Sequence, residues 1–174
     1  VKLNPALEKL PVYLPGRPIE EVARELGLDA RTIIKLASNE SPMGPSPRAM
    51  QAMRDTVGQV HLYPDGNAFY LREKLSKKFN LPMNQISLGN GSNELLELIA
   101  HAVLTTDSDC VMSQYCFAVY PIVTRLSGAN PIEVPAKNYG NDLEGMLAAI
   151  TPATRIVMLA NPNNPTGTLL SQEA

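Results

Sequence analysis

Histidine and cysteine, on which many catalytic sites depend, are scarce in this 174-residue sequence. The two histidines are His61 and His101, the two cysteines are Cys110 and Cys116, and none lies in a cluster with the spacing of zinc ligands. The G-x-S-x-G pattern of serine hydrolases and the G-x-x-x-x-G-K pattern of phosphate-binding loops are also missing. The sequence therefore contains neither a nucleophile motif that would indicate a hydrolase nor a ligand set that would indicate a metalloenzyme. We expect His101 and both thiols to be packing residues.

Long hydrophobic runs and concentrated positive charge are absent as well. The most apolar stretch, 95–104, contains Glu97 and His101 and is far shorter than the ~20 residues of a membrane-spanning helix. The 15 lysines and arginines are scattered, and only Lys77 and Lys78 are adjacent. We therefore expect neither a membrane nor a nucleic-acid partner. The cysteines have no framework of disulfide partners, which predicts a reduced, cytoplasmic protein.

Strand and helix patterns alternate regularly from residue 86 onward. The predicted elements are strand 86–88, helix 92–104, strand 110–113, helix 117–126, strand 131–134, helix 143–150 and strand 155–160. Strands that alternate with helices of about ten residues form crossover units and a largely parallel sheet. The nearly continuous apolar run at 155–160 is typical of a buried central strand. We therefore predict an α/β fold with helices on both faces of the sheet.

The first 86 residues have a less regular pattern. The first fifteen or so are rich in proline and predict an arm, which leads into an amphipathic helix that opens at Pro18 and ends at Gly27. The other predicted elements are a strand over 32–38, a helix that starts at Ser46 and Pro47, and a helix capped by Asn67. We expect an arm with a short helix over 1–31 and an incomplete large domain over 32–174.

The loop SLGNGSNE connects a predicted strand to a predicted helix. Its glycine turn enters the helix at Ser92, so the backbone N–H groups of Ser92 and Asn93 predict an anion site. A plain glycine turn with Ser92 as the N-cap is an equally good interpretation of this motif alone. The loop also raises the alternative of a dinucleotide-binding domain, which the missing third glycine disfavours.

Two further loops lie at the carboxyl ends of predicted strands, where open parallel sheets bind ligands. QYCFAVY holds three of the nine aromatic residues, Tyr115, Phe117 and Tyr120, which suit either core packing or stacking on a flat cofactor. NPNNPTG, residues 161–167, presents side-chain amides between prolines. A simple turn explains part of this motif, but a connection does not need seven such residues in a row.

Six motifs follow one another along essentially the whole chain: YLPGRP, KLASNESPMGPSP, LYPDGN, LGNGSNE, QYCFAVY and NPNNPTG. This ordered set resembles the fold type I pyridoxal-phosphate aminotransferases, in particular the histidinol-phosphate aminotransferase family. The resemblance implies a homodimer with a shared site that binds pyridoxal 5′-phosphate and acts in histidine biosynthesis. The implied reaction interconverts histidinol phosphate and 2-oxoglutarate with imidazole acetol phosphate and glutamate.

The resemblance also implies roles for individual residues of the cofactor site. Ser92 and Asn93 match the positions that bind the cofactor phosphate, and Phe117 matches the aromatic ring that stacks on the pyridine ring. Asn164, which precedes Pro-Thr-Gly, matches the asparagine that hydrogen-bonds the phenolic oxygen of the cofactor. Tyr63 matches a tyrosine that reaches the phosphate in the neighbouring subunit.

Two further matches, Tyr13 and Asn39, fall on the substrate side. The Schiff-base lysine of the family and the aspartate that faces the pyridine nitrogen follow NPNNPTG, so this chain is expected to be the N-terminal half of an enzyme, without catalytic residues or activity of its own. Other type I enzymes, such as an aromatic aminotransferase or a phospho-amino-acid decarboxylase, remain as alternatives. So does a noncatalytic half that serves for dimerisation or binding.

Overall fold

The computed structural model describes residues 2, 5–8 and 10–174, which fall into two compact units. One unit combines the described residues up to Tyr13 with Ser87–Ala174, and the other is Leu14–Ile86. Residues 1, 3, 4 and 9 of the predicted arm lie outside the described residues, and the predicted division at residue 31 stays a prediction. Within this description, no helix has both the length and the apolar character needed to cross a membrane.

The elements follow one another from the N-terminus, with single 3₁₀ turns between some of the helices. In chain order they are α1 (Pro5–Glu8), α2 (Ile19–Leu26), α3 (Pro47–Thr56), α4 (Phe69–Phe79), α5 (Ser92–Val103), β1 (Asp109–Ser113), α6 (Val119–Leu126), β2 (Asn130–Val134), α7 (Leu143–Ala148) and β3 (Thr154–Met158). The 3₁₀ turns are Ala30–Thr32, Val57–Gln59 and Met83–Gln85. The helices predicted after Pro18 and Pro47 are therefore confirmed.

The end of α2 shows why the prediction from its sequence succeeds. Gly27 lies in the left-handed region with φ 66°, and its N–H donates to the carbonyl of Ala23 in the last turn of the helix. Glycine adopts this conformation without steric cost, so it closes the helix where the apolar periodicity also stops. Ala23 is the buried residue of the apolar stripe.

The start of α4 differs from the prediction. Asn67 does not cap this helix; the Asp65 carboxylate accepts hydrogen bonds from the backbone N–H groups of Phe69 at 2.8 Å and of Asn67 at 3.0 Å. These two bonds lower the pKa of Asp65 below its ordinary value. The prediction is wrong because an aspartate can turn the chain and cap the helix from four residues before its first residue.

The predictions of strands at 32–38 and 86–88 are also wrong. Residues 33–38 continue from the 3₁₀ turn without helix or strand, and Ile34 and Leu36 are 84% and 96% exposed. β-Branched residues favour extended backbone, but a strand also requires hydrogen bonds from a neighbour. Among the described residues, no strand pairs with either segment.

The sheet of the described chain is parallel, with the strand order β2-β1-β3. The central strand is β1, in which Cys110, Val111 and Met112 are fully buried. The sequence predicts the buried central strand at 155–160, but β3 is an edge strand here and Val157 is 45% exposed. Composition alone could not reveal this because strand order depends on which segments pair in space.

Helices cover both faces of the sheet, as predicted. Met112 lies on one face, in a core cluster with Ala100 of α5 and Val123 of α6. Val111 points to the opposite face, where it packs with Val134 and with Met146 of α7. This alternation follows from the two-residue period of a strand, and it confirms the largely parallel α/β architecture.

The burial of Met112 leads to a stability prediction. Met112→Ala removes a fully buried side chain between the central strand and two helices. We expect the free energy of unfolding to fall by about 2–5 kcal/mol because transfer energy is lost and a cavity remains. Met112→Leu, which conserves volume, is the matched control and should cost less than about 1.5 kcal/mol. Chemical denaturation of the purified protein measures both values, and equal costs would contradict the packing described.

Candidate functional site

Three structural features meet at the carboxyl edge of the parallel sheet. β1 and β3 run in the same direction, so the loops that follow them, 114–118 and 159–167, leave from the same edge. α5 joins the start of β1 through residues 104–108, so its first turn points back to that edge. The twelve-residue helix is ~18 Å long and the five-residue strand ~17 Å, so the two elements have similar lengths. Leu96, Phe117 and Ala160 pack against the same core cluster, which brings the N-terminal half of α5 close to both loops.

The start of α5 presents backbone donors. Gly91 is the N-cap with φ 81°, and Ser92 is therefore the first helical residue, which rules out the interpretation of Ser92 as the cap. Ser92 and Asn93 are exposed, and among the described residues neither backbone N–H has an acceptor. First-turn N–H groups together with the helix dipole attract an anion.

Glu94 organises the glycine turn in front of α5. Its Oε2 accepts hydrogen bonds from the backbone N–H of Asn90 at 2.5 Å and from the Asn90 amide at 3.1 Å. A Cβ atom on Gly89 would lie 2.9 Å from the same oxygen and 3.1 Å from the side chain of Leu95, so a larger residue there would displace the carboxylate from this position. The carboxylate thus satisfies Asn90, and the N–H of Gly91 donates to the carbonyl of Gly89 at 2.9 Å. The N–H groups of Ser92 and Asn93 have no acceptor among the described residues.

The aromatic residues of loop 114–118 and of α6 have different environments. Tyr120 is buried in the core, where burial and the nearby Cys116 raise the pKa of its hydroxyl. Phe117 is half-buried and meets Tyr120 edge to face, with ring centroids 6.0 Å apart. Tyr115 is exposed and pairs with Tyr139, at 5.6 Å between centroids. Core packing therefore accounts for Tyr120, whereas Phe117 keeps part of its ring accessible.

The three asparagines of NPNNPTG are not equivalent. Asn161 exchanges hydrogen bonds with the backbone of Leu170: its Oδ1 accepts from the N–H at 2.9 Å, and its Nδ2 donates to the carbonyl at 3.4 Å. Asn163 is buried and donates to the carbonyl of Tyr115 at 2.9 Å. Among the described residues, the half-buried amide of Asn164 has no hydrogen-bond partner, so it is available to a ligand.

Asn163 is the residue that the sequence did not single out. Its side chain holds the loop together, but nothing in the motif distinguishes it from the asparagines on either side. Its Oδ1 and the Ser113 Oγ are buried without a partner in the part of the chain that the structure describes.

Three of the predicted site residues cannot be related to this edge. Asn39, with φ 53°, and Tyr63, which is 100% exposed, belong to the unit 14–86. Tyr13 is an exposed residue at the end of the N-terminal segment of the other unit. Their roles stay predictions, whereas Ser92, Asn93, Phe117 and Asn164 all lie on elements that meet at the sheet edge.

Both thiols are free and behave as packing residues, as expected, whereas the prediction that His101 is a packing residue is wrong because its side chain is 56% exposed. Cys110 is fully buried in β1, and burial raises the pKa of its thiol. Cys116 is half-buried against the same core cluster, and burial, with a smaller contribution from the charge of Glu133, raises the pKa of its thiol to about 11. No group of three or more potential metal ligands occurs among the described residues.

Known proteins are similar to this chain in sequence and in fold. Residues 31–174 match the family model described as aminotransferase class I and II. Histidinol-phosphate aminotransferase 2 of Pseudomonas fluorescens is 51% identical over 98% of this chain and 46% of that protein. The corresponding protein of Nitrosospira multiformis is 55% identical over 91% of this chain and 40% of that protein.

A solved structure matches nearly the whole chain. The crystal structure of histidinol-phosphate aminotransferase from Sinorhizobium meliloti in complex with pyridoxal-5′-phosphate has a TM-score of 0.85 and 28% identity. The match covers 99% of this chain and 45% of that chain. The architecture is therefore part of the fold of type I pyridoxal-phosphate aminotransferases.

This chain belongs to the aminotransferase class I and II family. The similarity to histidinol-phosphate aminotransferases, inferred above from six ordered motifs, is confirmed by the relatives. The chain spans less than half the length of each of these relatives.

The pKa of Cys116 predicts slow alkylation. At pH 8 a thiol with a pKa of about 11 carries roughly a hundredfold less thiolate than one at the ordinary value of 9.0. We expect the rate of Cys116 modification by iodoacetamide to be low at pH 8 and to rise steeply between pH 9 and 11. Mass spectrometry of the purified protein measures the adduct, with Cys116→Ser as the control. A rate at pH 8 like that of a free thiol would contradict the burial described.

Proposed function

We propose that this chain is part of a histidinol-phosphate aminotransferase, a cytoplasmic, homodimeric enzyme that uses pyridoxal 5′-phosphate. The reaction interconverts histidinol phosphate and 2-oxoglutarate with imidazole acetol phosphate and glutamate. One observation carries the proposal: free backbone donors, an accessible aromatic ring and a free amide occur on elements that meet at the carboxyl edge of the sheet. The identity of 51–55% with two such enzymes supports it.

The residues present fit the phosphate end of the cofactor. The N–H groups of Ser92 and Asn93 lack partners among the described residues, and they lie at the positive end of a twelve-residue helix. A phosphate there replaces solvent as the acceptor of both donors, and hydrogen bonds to a charged group contribute about 1.5–3 kcal/mol each. Glu94 keeps the preceding turn in place through its bonds to Asn90.

The residues also fit the ring of the cofactor. Phe117 would stack on the pyridine ring, a contact worth about 0.5–1.5 kcal/mol beyond the area it buries. Asn164 would donate its amide N–H to the phenolic oxygen and so orient the ring within its plane. When bound, the cofactor supplies the electron-withdrawing system on which amino-group transfer depends. The side chains of this chain bind and orient it.

The reacting amine is proposed to come from outside this chain. Its seven lysines are Lys2, Lys9, Lys35, Lys74, Lys77, Lys78 and Lys137. None of them occupies the position of the Schiff-base lysine, which in the family follows NPNNPTG. The ring of Phe117 and the amide of Asn164 cannot replace an amine nucleophile. We therefore propose that residues 1–174 alone do not catalyse transamination. Tyr63 is proposed to complete the phosphate site of a second subunit, and Tyr13 and Asn39 to contact the substrate.

The backbone donor of Ser92 can be tested by a pair of substitutions. Ser92→Pro deletes one N–H at the first helical position, where proline is well tolerated, whereas Ser92→Ala keeps the N–H and removes only the hydroxyl. We expect the proline variant of the full-length protein to bind pyridoxal phosphate about 10- to 100-fold more weakly, and the alanine variant to lose less. A fluorescence titration measures both. Equal affinities of the two variants would contradict a role for this N–H.

The substrate is tested on the full-length, cofactor-loaded protein. We expect kcat/KM for histidinol phosphate to exceed that for histidinol by at least about 100-fold, because the site would lose charge-assisted hydrogen bonds to the substrate phosphate. Coupled detection of glutamate measures both rates. Comparable turnover of an amino acid without phosphate would instead support an aromatic aminotransferase. Release of carbon dioxide from a phospho-amino acid would support a decarboxylase.

A further inference from the structure

Asn163 makes more hydrogen bonds than any other residue of NPNNPTG, although the proposed function assigns it no role. It is 4% exposed, and its Nδ2 donates to the carbonyl of Tyr115 at 2.9 Å and to the hydroxyl of Thr166 at 2.7 Å. Its backbone N–H donates to the carbonyl of Thr168, and its carbonyl accepts from the N–H of Gly167, both at 2.8 Å. This one residue therefore closes the turn 163–168 and ties it to the loop after β1.

A second turn, 137–140, braces the same loop. The N–H of Gly140 donates to the carbonyl of Lys137 at 2.8 Å, and both central residues of the turn, 138 and 139, have positive φ. The carbonyl of Tyr139 accepts from the hydroxyl of Thr168 at 3.4 Å, and its ring packs on Tyr115. A bulky residue with positive φ is uncommon and persists only where the surroundings hold it. The turn thus contacts both loops that Asn163 joins.

These contacts leave Asn164 with little freedom to move. The residue before it is fixed by four hydrogen bonds, and the proline after it has a restricted φ. Its own amide has no partner among the described residues, so the neighbours rather than the side chain itself determine its direction. Without the hydrogen bonds of Asn163, the turn 163–168 would lose its connection to the loop after β1.

We propose that Asn163 is a positioning residue: its hydrogen bonds to Tyr115 and Thr166 hold the Asn164 amide in register with the phenolic oxygen of the cofactor. This inference rests on the proposed function, since it assumes that Asn164 faces bound pyridoxal phosphate. Asn161 does not share this role, because among the described residues its side chain bonds to the backbone of Leu170 and to nothing in the loop after β1.

The test measures the ionisation of the bound cofactor rather than turnover. An N–H that donates to a phenolate stabilises the ionised form and lowers its pKa. The full-length, cofactor-loaded protein is titrated with pH, and the midpoint of the absorbance change is recorded for Asn163→Ala, Asn164→Ala, the double variant and the control Asn161→Ala. We expect both single variants to raise the midpoint, the double variant to add little to Asn164→Ala, and the control to leave it unchanged.

The design separates failure of this inference from failure of the proposed function. A midpoint raised by Asn164→Ala but unchanged by Asn163→Ala would overturn the positioning role alone. Shifts that simply add in the double variant would overturn it as well, because Asn163 would then act independently of Asn164. If the protein binds no pyridoxal phosphate, or if Asn164→Ala leaves the midpoint unchanged, the proposed function itself is contradicted, and the inference about Asn163 fails with it.

A second variant covers the outcome in which Asn163→Ala fails to fold. Thr166→Val is nearly isosteric and removes the hydroxyl that accepts from Asn163 Nδ2 and lies 3.3 Å from the hydroxyl of Thr168. We expect it to raise the midpoint in the same direction, by less than Asn163→Ala, with the thermal unfolding midpoint nearly unchanged. A folded Thr166→Val protein with an unshifted absorbance midpoint would count against the inference whatever the fate of the alanine variant.

Discussion

The burial of β1 on both of its faces is the constraint on which the rest of the structure depends. Its side chains alternate between two core clusters, one built with α5 and α6 and the other with α7. A parallel strand buried in this way requires crossover helices on either side, so helix direction and strand direction are linked. That link brings the start of α5 to the same edge as the loops after β1 and β3.

At that edge some polar groups have hydrogen-bond partners within the protein and others have none among the described residues. Glu94 satisfies Asn90, Asn161 satisfies Leu170, and Asn163 satisfies Tyr115. The exposed or half-buried groups without partners among the described residues include the first-turn N–H donors of α5 and the amide of Asn164. A ligand with an anionic end and a hydrogen-bond acceptor on a flat ring complements these remaining groups. The family to which the chain belongs uses such a molecule, which makes the chemical fit and the relationship agree.

Much of this arrangement could be predicted from the sequence, and each error has a specific physical cause. The helices from α2 onward, the parallel strands at 109–113, 130–134 and 154–158, and the turn before α5 follow from local periodicity and from glycine and proline positions, whereas α1 was not predicted. The strands expected at 32–38 and 86–88 are not formed, because extended character does not supply a pairing partner. The cap of α4 was assigned to Asn67 because the reach of the Asp65 side chain is not visible in a pattern.

Periodicity, turn residues and motif order are local properties of the chain, and they suffice to predict its fold class and to indicate its family. The central position of β1, rather than β3, in the described sheet could not be predicted in this way, since strand order depends on long-range pairing. The three-dimensional structure also distinguishes the three asparagines of NPNNPTG: Asn161 and Asn163 bind the backbone, and Asn164 has no partner among the described residues. That distinction depends on which distant carbonyls come within hydrogen-bond distance, and no spacing rule contains this information.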